Sequence, residues 1–192
     1  MMKKQIALLL ATVMLAAGVT GCGIVKVVKI GQEGALTGET EFDSSQQSGQ
    51  DWEHVAAEIT ENAKDLKEIE GDIGSDAVAV SGTAVIKEWN HDQAVKTYIV
   101  LDGFENEVQI QTGSVYTGTA IRDLQTLKKF SDFKNQTEWS EYAKSLNKES
   151  DALVVQPLSL SDDVNGKEIT FVGGAVKKAG KITITVVSAE IN

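Results

Sequence analysis

The chain has 192 residues, with 18 lysine and arginine against 28 aspartate and glutamate residues, so its formal net charge at pH 7 is −10. This length fits one ordinary domain with a short appendage, and a chain this acidic repels nucleic acid and anionic lipid headgroups. The single cysteine excludes a disulfide framework, a cysteine–zinc site and a Cys-x-x-Cys redox centre.

The amino-terminal residues have the pattern of a bacterial lipoprotein signal peptide. Lys3 and Lys4 precede an uncharged apolar run over residues 6–19, and the small residues that follow end at Cys22. The run is too short for a stable membrane span, which needs about 20 apolar residues. We therefore expect cleavage before Cys22 and lipidation of its thiol by a diacylglyceryl group, which brings two palmitate-like acyl chains at once. Two chains suffice for lasting attachment to the cell membrane, facing the periplasm or the cell exterior.

Residues 22–50 are predicted to be a lipidated tether. Glycine, serine and glutamine recur there and core-forming residues are few, which is typical of a linker. An apolar patch at residues 24–30 is the exception, and it either lies near the membrane or pairs as a first strand. The domain organisation is then a signal peptide at residues 1–21, the tether, and a single folded domain at residues 51–192.

The first predicted element of the domain is an amphipathic helix over residues 51–70. Its apolar side chains recur at every third or fourth position, and Gly71 follows as a stop. The pattern then changes to alternation, which predicts a three-stranded meander with strands at residues 78–86, 95–101 and 107–111.

Residues 115–121 are predicted to extend this sheet, and two short helices follow. Residues 121–130 place their apolar side chains on one face, and Asn135 with Glu138 resembles a helix-start box. Strands at residues 169–172 and 181–187 come last. Strands, then helices, then strands indicate an α+β fold, an OB-like antiparallel β-barrel with a small helical subdomain.

The sequence carries no motif for catalysis or for binding a metal or cofactor. There is no G-x-S-x-G, no H-E-x-x-H and no phosphate-binding loop. His54 and His91 have no ligand partner at a useful spacing. The acidic turn that contains Asp102 and Glu105 does not match an EF-hand. We therefore expect a protein that is not an enzyme and holds no cofactor.

Arg122 is the only arginine of the chain. Its planar guanidinium is suited to bidentate capture of a carboxylate or a pair of sugar hydroxyls, which a lysine does less well. The alternative is structural, a partly buried pair with Asp123 or with backbone carbonyls that locks the junction between strand and helix. The small and β-branched neighbours favour the structural interpretation.

Residues 108–123 resemble domain-of-unknown-function family 2291, a family of predicted periplasmic lipoproteins. The family pattern is close to V-x-I-Q-x-G-P-V-x-x-G-T-A-x-R-D, and Ser114 stands where it usually has proline. Residues 130–136 and 142–147 match the next two segments of the family. The resemblance implies an OB-like domain with a helical subdomain and no established catalytic residue. It also implies genes that often lie beside ribose-type sugar ABC transporters.

These observations predict a non-enzymatic accessory or binding lipoprotein associated with sugar ABC-transporter uptake. The alternative is a structural envelope protein that acts by protein–protein interaction. The expected partners are the membrane, through the lipid anchor, and either transporter components or a small sugar. Amide, hydroxyl and guanidinium groups match the hydrogen-bonding needs of sugar hydroxyls. The candidate ligand-binding residues are Gln109, Gln111, Thr117, Thr119, Arg122, Asn135 and Gln136.

Overall fold

The computed structural model describes residues 42–93 and 96–192. The predicted signal peptide, the lipidation site Cys22 and residues 22–41 of the predicted tether lie outside the described residues. No helix within the described ranges has both the length and the apolar character needed to cross a membrane. The helices are α1 Ser44–Glu61, α2 Leu66–Ile69, α3 Ala120–Leu124 and α4 Gln136–Ser150. The strands are β1 Lys64–Asp65, β2 Val78–Asn90, β3 Tyr98–Leu101, β4 Glu107–Gln111, β5 Glu168–Lys178 and β6 Lys181–Ile191.

Five of the strands form a closed barrel. The strand order is β1-β2-β3-β4-β6-β5, and β5 pairs back onto β2. Neighbouring strands of the barrel are antiparallel except β4 and β6, which are parallel. The short strand β1 lies outside this ring and pairs with β2 in parallel. The predicted meander and the final strand pair are thereby confirmed, and the fold is the predicted α+β barrel with helices between β4 and β5.

The barrel interior is filled by the inward-facing residues of the alternating strands. β3 places Ile99 and Leu101 inside and β4 places Val108 and Ile110 inside, while their neighbours in the chain face outward. The helices close the core from outside the barrel. The largest fully buried side chains include Tyr142, Phe171, Ile59, Leu66, Ile86, Ile169, Ile182 and Ile184.

Helix α1 begins earlier and ends earlier than the sequence predicts. It starts at Ser44 because Asp43 caps it, its carboxylate accepting hydrogen bonds from two backbone amides at 3.0 Å. The predicted helix over residues 51–70 is wrong beyond Glu61, where the chain passes through β1 into α2. Asp65 accepts a bond from the amide of Lys67 and so starts this second, separate helix.

The first turns of α1 are held to α4 by polar contacts. Ser48 donates to the Glu149 carboxylate at 3.1 Å, and the Tyr142 hydroxyl donates to Asp51 at 2.9 Å. Burial raises the pKa of Tyr142, and its hydrogen bond to Asp51 raises the pKa further, so this phenol stays protonated and keeps donating. These buried polar positions lack the apolar period from which a helix is predicted, so the helix start was missed.

The segment between β4 and α4 differs from the prediction at two places. Residues 115–121 do not extend the sheet, because the chain leaves β4 in a loop and enters α3 at Ala120. The helix predicted over residues 121–130 ends at Leu124. The start of α4 is confirmed, since the Asn135 side chain accepts a hydrogen bond from the amide of Glu138 at 3.0 Å.

We expect Gly173→Ala to lower the stability of the barrel. A Cβ at Gly173 would clash with the Thr185 carbonyl oxygen and lie 2.9 Å from Val186 Cα, where β5 and β6 shift register. Overpacking of this kind costs about 1–3 kcal/mol, and each kcal/mol lowers the melting temperature by about 2–4 °C in a chain of this size. Thermal unfolding measures the difference. Gly71→Ala is the matched control, because a Cβ there meets nothing within 4 Å. Equal melting temperatures for the two variants would contradict the prediction.

Candidate functional site

The outer face of β4 and β6 carries a row of paired polar side chains, which we call the polar ladder. The parallel register places successive outward residues of the two strands side by side. At one end the Lys181 ammonium donates to the Glu107 carboxylate at 2.7 Å. The Gln109 amide then donates to the Thr183 hydroxyl at 2.9 Å, and the Gln111 amide donates to the Thr185 hydroxyl at 2.8 Å. The three rungs are Glu107–Lys181, Gln109–Thr183 and Gln111–Thr185.

A cavity of about 320 Å³ lies over the exposed half of the polar ladder, and we call it the β3–β4 cavity. Tyr98 and Val100 of β3 and Gln109 of β4 form its half-buried part. Asn90 at the end of β2 and Gln93 in the loop after it add two amides. The cavity therefore combines an aromatic and an aliphatic surface with several hydrogen-bonding groups.

Lysines are concentrated around the β3–β4 cavity even though the chain is acidic. Lys87, Lys96 and Lys181 line it, against the carboxylates of Glu88 and Glu107. Glu107 is already paired with Lys181, whereas Lys87 and Lys96 make no ion pair with any described residue. The cavity therefore offers donors of two kinds, ammonium and amide, to a small polar ligand.

The last rung of the polar ladder is buried beneath the loop that follows β4. Gln111 is only 2% exposed. Its Oε1 accepts bonds from the Thr117 amide at 2.7 Å and the Thr117 hydroxyl at 3.0 Å. Its Nε2 donates to the Thr117 carbonyl and to Thr185. All the bonding capacity of this amide is thus spent inside the fold, where it holds the loop onto the barrel.

Arg122 is engaged by its neighbours. Its Nε and Nη2 donate to one carboxylate oxygen of Asp123 at 2.8 and 2.6 Å, and its guanidinium carbon lies 4.5 Å from the centre of the Trp139 ring. The Thr119 hydroxyl donates to the other oxygen of the same carboxylate. With the Arg122 side chain only 13% exposed, these contacts agree with the structural interpretation, a lock at the entry to α3.

The seven candidate residues do not form one open surface. Gln109 lines the β3–β4 cavity, and Gln136 is exposed at the first residue of α4. The other five make the internal bonds described above, including the cap that Asn135 supplies to α4. Ligand binding by these residues stays a prediction. The contribution of β2 and β3 to the cavity was missed, although alternation around buried Ile99 places Tyr98 and Val100 on the outer face.

A second cavity, of about 250 Å³, lies between the loop after β4 and helix α4. Val115 and Tyr116 give it an apolar wall, and Lys144 and Lys148 border it from α4. Burial raises the pKa of Tyr116, and the nearby Asp151 carboxylate raises the pKa further. The phenol is therefore a hydrogen-bond donor at neutral pH.

In the described part of the chain, no group of His, Cys, Asp and Glu side chains is arranged to hold a metal ion.

The strand order and the polar outer face of β3 and β4 define the class of the molecule, an OB-fold β-barrel protein with an inserted helical subdomain. A solved structure described as an OB-fold protein from Thermotoga maritima is similar, with a TM-score of 0.58 at 18% identity over 80% of this chain and 100% of that chain. The chain belongs to the predicted periplasmic lipoprotein family (DUF2291), whose model matches residues 12–192. The resemblance of the sequence to this family of predicted periplasmic lipoproteins is thereby confirmed.

Two other comparisons add little. The aspartyl-tRNA synthetase of Entamoeba histolytica has a TM-score of 0.32 at 9% identity, over 67% of this chain and 21% of that chain. A likeness this low carries no argument about fold or function. No curated protein matches the sequence.

We expect Gln111→Ala to destabilise the protein strongly. The change leaves the Thr117 amide and the Thr185 hydroxyl without their partner, and an unsatisfied buried group costs about 1–3 kcal/mol. The expected loss is about 2–4 kcal/mol in the free energy of unfolding, measured by urea denaturation. Gln109→Ala is the matched control, because Gln109 makes one such bond at a half-buried position. A loss for Gln111→Ala no larger than that of the control would contradict the assigned role.

Arg122→Lys separates the two interpretations of this arginine. An ammonium keeps the charge but loses the two-nitrogen contact with Asp123 and much of the contact with Trp139. We expect a loss of about 1 kcal/mol in the free energy of unfolding. Lys64→Arg is an exposed control for the change of head group. Unchanged stability together with weaker ligand binding would instead assign Arg122 to a binding site.

Proposed function

We propose that this chain is a non-enzymatic, lipid-anchored binding protein that holds a small sugar in the β3–β4 cavity and serves uptake by a sugar ABC transporter. The observation that carries the proposal is the polar cavity on the outer face of β3 and β4, which are the second and third strands of the five-stranded barrel because β1 lies outside it. OB-fold barrels use this face for oligonucleotides and oligosaccharides. The net charge of −10 disfavours the nucleic acid.

The side chains of the cavity match the chemistry of a sugar. Tyr98 and Val100 offer an apolar surface to the C–H face of a sugar ring, and Asn90, Gln93 and Gln109 offer amides to its hydroxyls. The volume of about 320 Å³ lies at the small end of the usual range for ligand pockets, about 300–1,000 Å³. This size favours a single sugar unit over a long chain.

The proposals of a lipid anchor and of an association with a transporter are supported by observations other than the cavity. The signal-peptide pattern that ends at Cys22 and membership of a family of predicted periplasmic lipoproteins support lipidation, with the domain facing the periplasm or the cell exterior. The association with a transporter rests on the gene neighbourhood that the family resemblance implies.

Thermal unfolding of the detergent-solubilised lipoprotein with pentoses, hexoses and inositols tests the proposal. A ligand present at a hundred times its Kd stabilises the folded state by about 2.7 kcal/mol, which raises the melting temperature by about 5–10 °C. We expect Gln109→Ala to weaken this shift and Gln136→Ala to preserve it. The reverse pattern would place the sugar near α4 and contradict the cavity as the site.

A structural envelope role by protein–protein interaction remains the second candidate. It is favoured by the apolar second cavity beside Val115, which suits an apolar side chain of a partner better than it suits a sugar. If no sugar shifts the melting temperature at millimolar concentration and Val115→Asp abolishes retention of the transporter permease in a pull-down, this second function replaces the first.

A further inference from the structure

The turn after α3 displays two large apolar side chains to solvent. Leu127 is 39% exposed and Phe130 is 50% exposed. Lys128 and Lys129 lie between them in the chain. We call residues 127–130 the Leu127–Phe130 patch. This order of apolar, basic, basic and apolar residues combines the two features that interfacial membrane binding uses.

Hydrogen bonds hold this turn in place from two sides. The buried Gln125 side chain donates to the carbonyls of Arg122 and Lys128 at 3.1 and 2.8 Å and accepts from the Lys128 amide at 2.8 Å. Glu58 of α1 accepts from both the amide and the hydroxyl of Thr126. The outward position of Leu127 is therefore built into the turn.

Aromatic side chains support the patch from beneath. The ring of Phe130 meets Trp139 edge-on at 6.5 Å between centres, and Phe133 lies 5.0 Å from the same Trp139 ring. Arg122 covers Trp139 at 4.5 Å. This packed layer keeps the exposed edge of Phe130 from folding back into the domain.

The patch belongs to the part of the domain from which the chain continues towards Cys22. Phe42, the first described residue, packs against Phe133 with ring centres 5.4 Å apart. The separation from Cys22 is 42 − 22 = 20 residues, and a chain of that length spans at most about 70 Å even when fully extended. A lipid on Cys22 therefore keeps the whole domain within reach of the bilayer, and at such effective concentrations a weak contact by the patch is sufficient.

We propose that the Leu127–Phe130 patch is the face by which the domain rests on the membrane. Leu127 and Phe130 enter the boundary between headgroups and acyl chains, and Lys128 and Lys129 contact anionic headgroups. The net charge of −10 opposes contact with anionic lipid, and Glu58 and Asp132 bring two carboxylates to this turn. Lys128 and Lys129 offset these two charges locally, and repulsion from more distant carboxylates is screened beyond about 8 Å in physiological salt. This inference rests on the proposed lipid anchor at Cys22.

The test uses the full-length lipidated protein in vesicles that contain anionic lipid and bromine-labelled, fluorescence-quenching acyl chains. Phe130→Trp places a reporter in the patch, and Leu127→Trp is a second reporter should the first variant fold poorly. Leu153→Trp is the matched control, because Leu153 is 54% exposed and follows the far end of α4. The 15 residues of that helix separate the two ends by about 22 Å.

We expect the emission of the patch reporters, after subtraction of the wild-type signal, to shift to the blue and to be quenched several-fold more than that of Leu153→Trp. Lys128→Glu with Lys129→Glu, or 1 M salt, which shortens the screening length to about 3 Å, should reduce the difference.

The outcomes separate the anchor from the docking face. Failure of the protein to sediment with the vesicles would refute the lipid anchor. Sedimentation with equal quenching at positions 130 and 153 would overturn the docking face and leave the anchor intact. Shielding of position 130 in native membranes but not in pure lipid vesicles would assign the patch to a protein partner and likewise overturn the proposal.

Discussion

The buried amide of Gln111 is the contact on which the arrangement of this domain depends. It sits at the end of β4, where the chain leaves the barrel for the helical subdomain, and its four hydrogen bonds tie that exit to Thr185 of β6 and to the backbone and hydroxyl of Thr117. Because α3 follows directly, the placement of Arg122 over Trp139 is set by the same anchor. One buried side chain thus joins the barrel to the entry of its helical subdomain, at the last residue of β4.

The polar ladder shows how one row of residues serves both structure and surface. Gln109 and Gln111 face the same side of β4, two residues apart, and each donates to a threonine of β6. What distinguishes them is the loop above Gln111, which excludes water from one rung and leaves the other open to the β3–β4 cavity. The floor of the cavity is therefore continuous with a buried and fully hydrogen-bonded rung of the scaffold.

The sequence predicted those elements whose signals are local. Alternation identified the meander, and the Asn135 and Glu138 pair identified the start of α4, because both signals act within a few residues. The start of α1 was missed because its buried polar groups, Ser48 and Asp51, find partners 101 and 91 residues away. The candidate ligand-binding residues were chosen because amide, hydroxyl and guanidinium groups can bind a sugar. The same groups can instead form hydrogen bonds with buried backbone groups of the fold. Only the loop that follows β4 separates the amide in the cavity from the one inside the fold, because it covers Gln111 and leaves Gln109 open.

The position of β6 has a consequence for how the domain folds. This strand pairs with both β4 and β5, so the ring cannot close until it is present, and it follows the other described strands in the chain. Closure of the barrel depends on these non-local pairings, which form slowly compared with local contacts. The topology therefore makes closure of the ring a late step of folding.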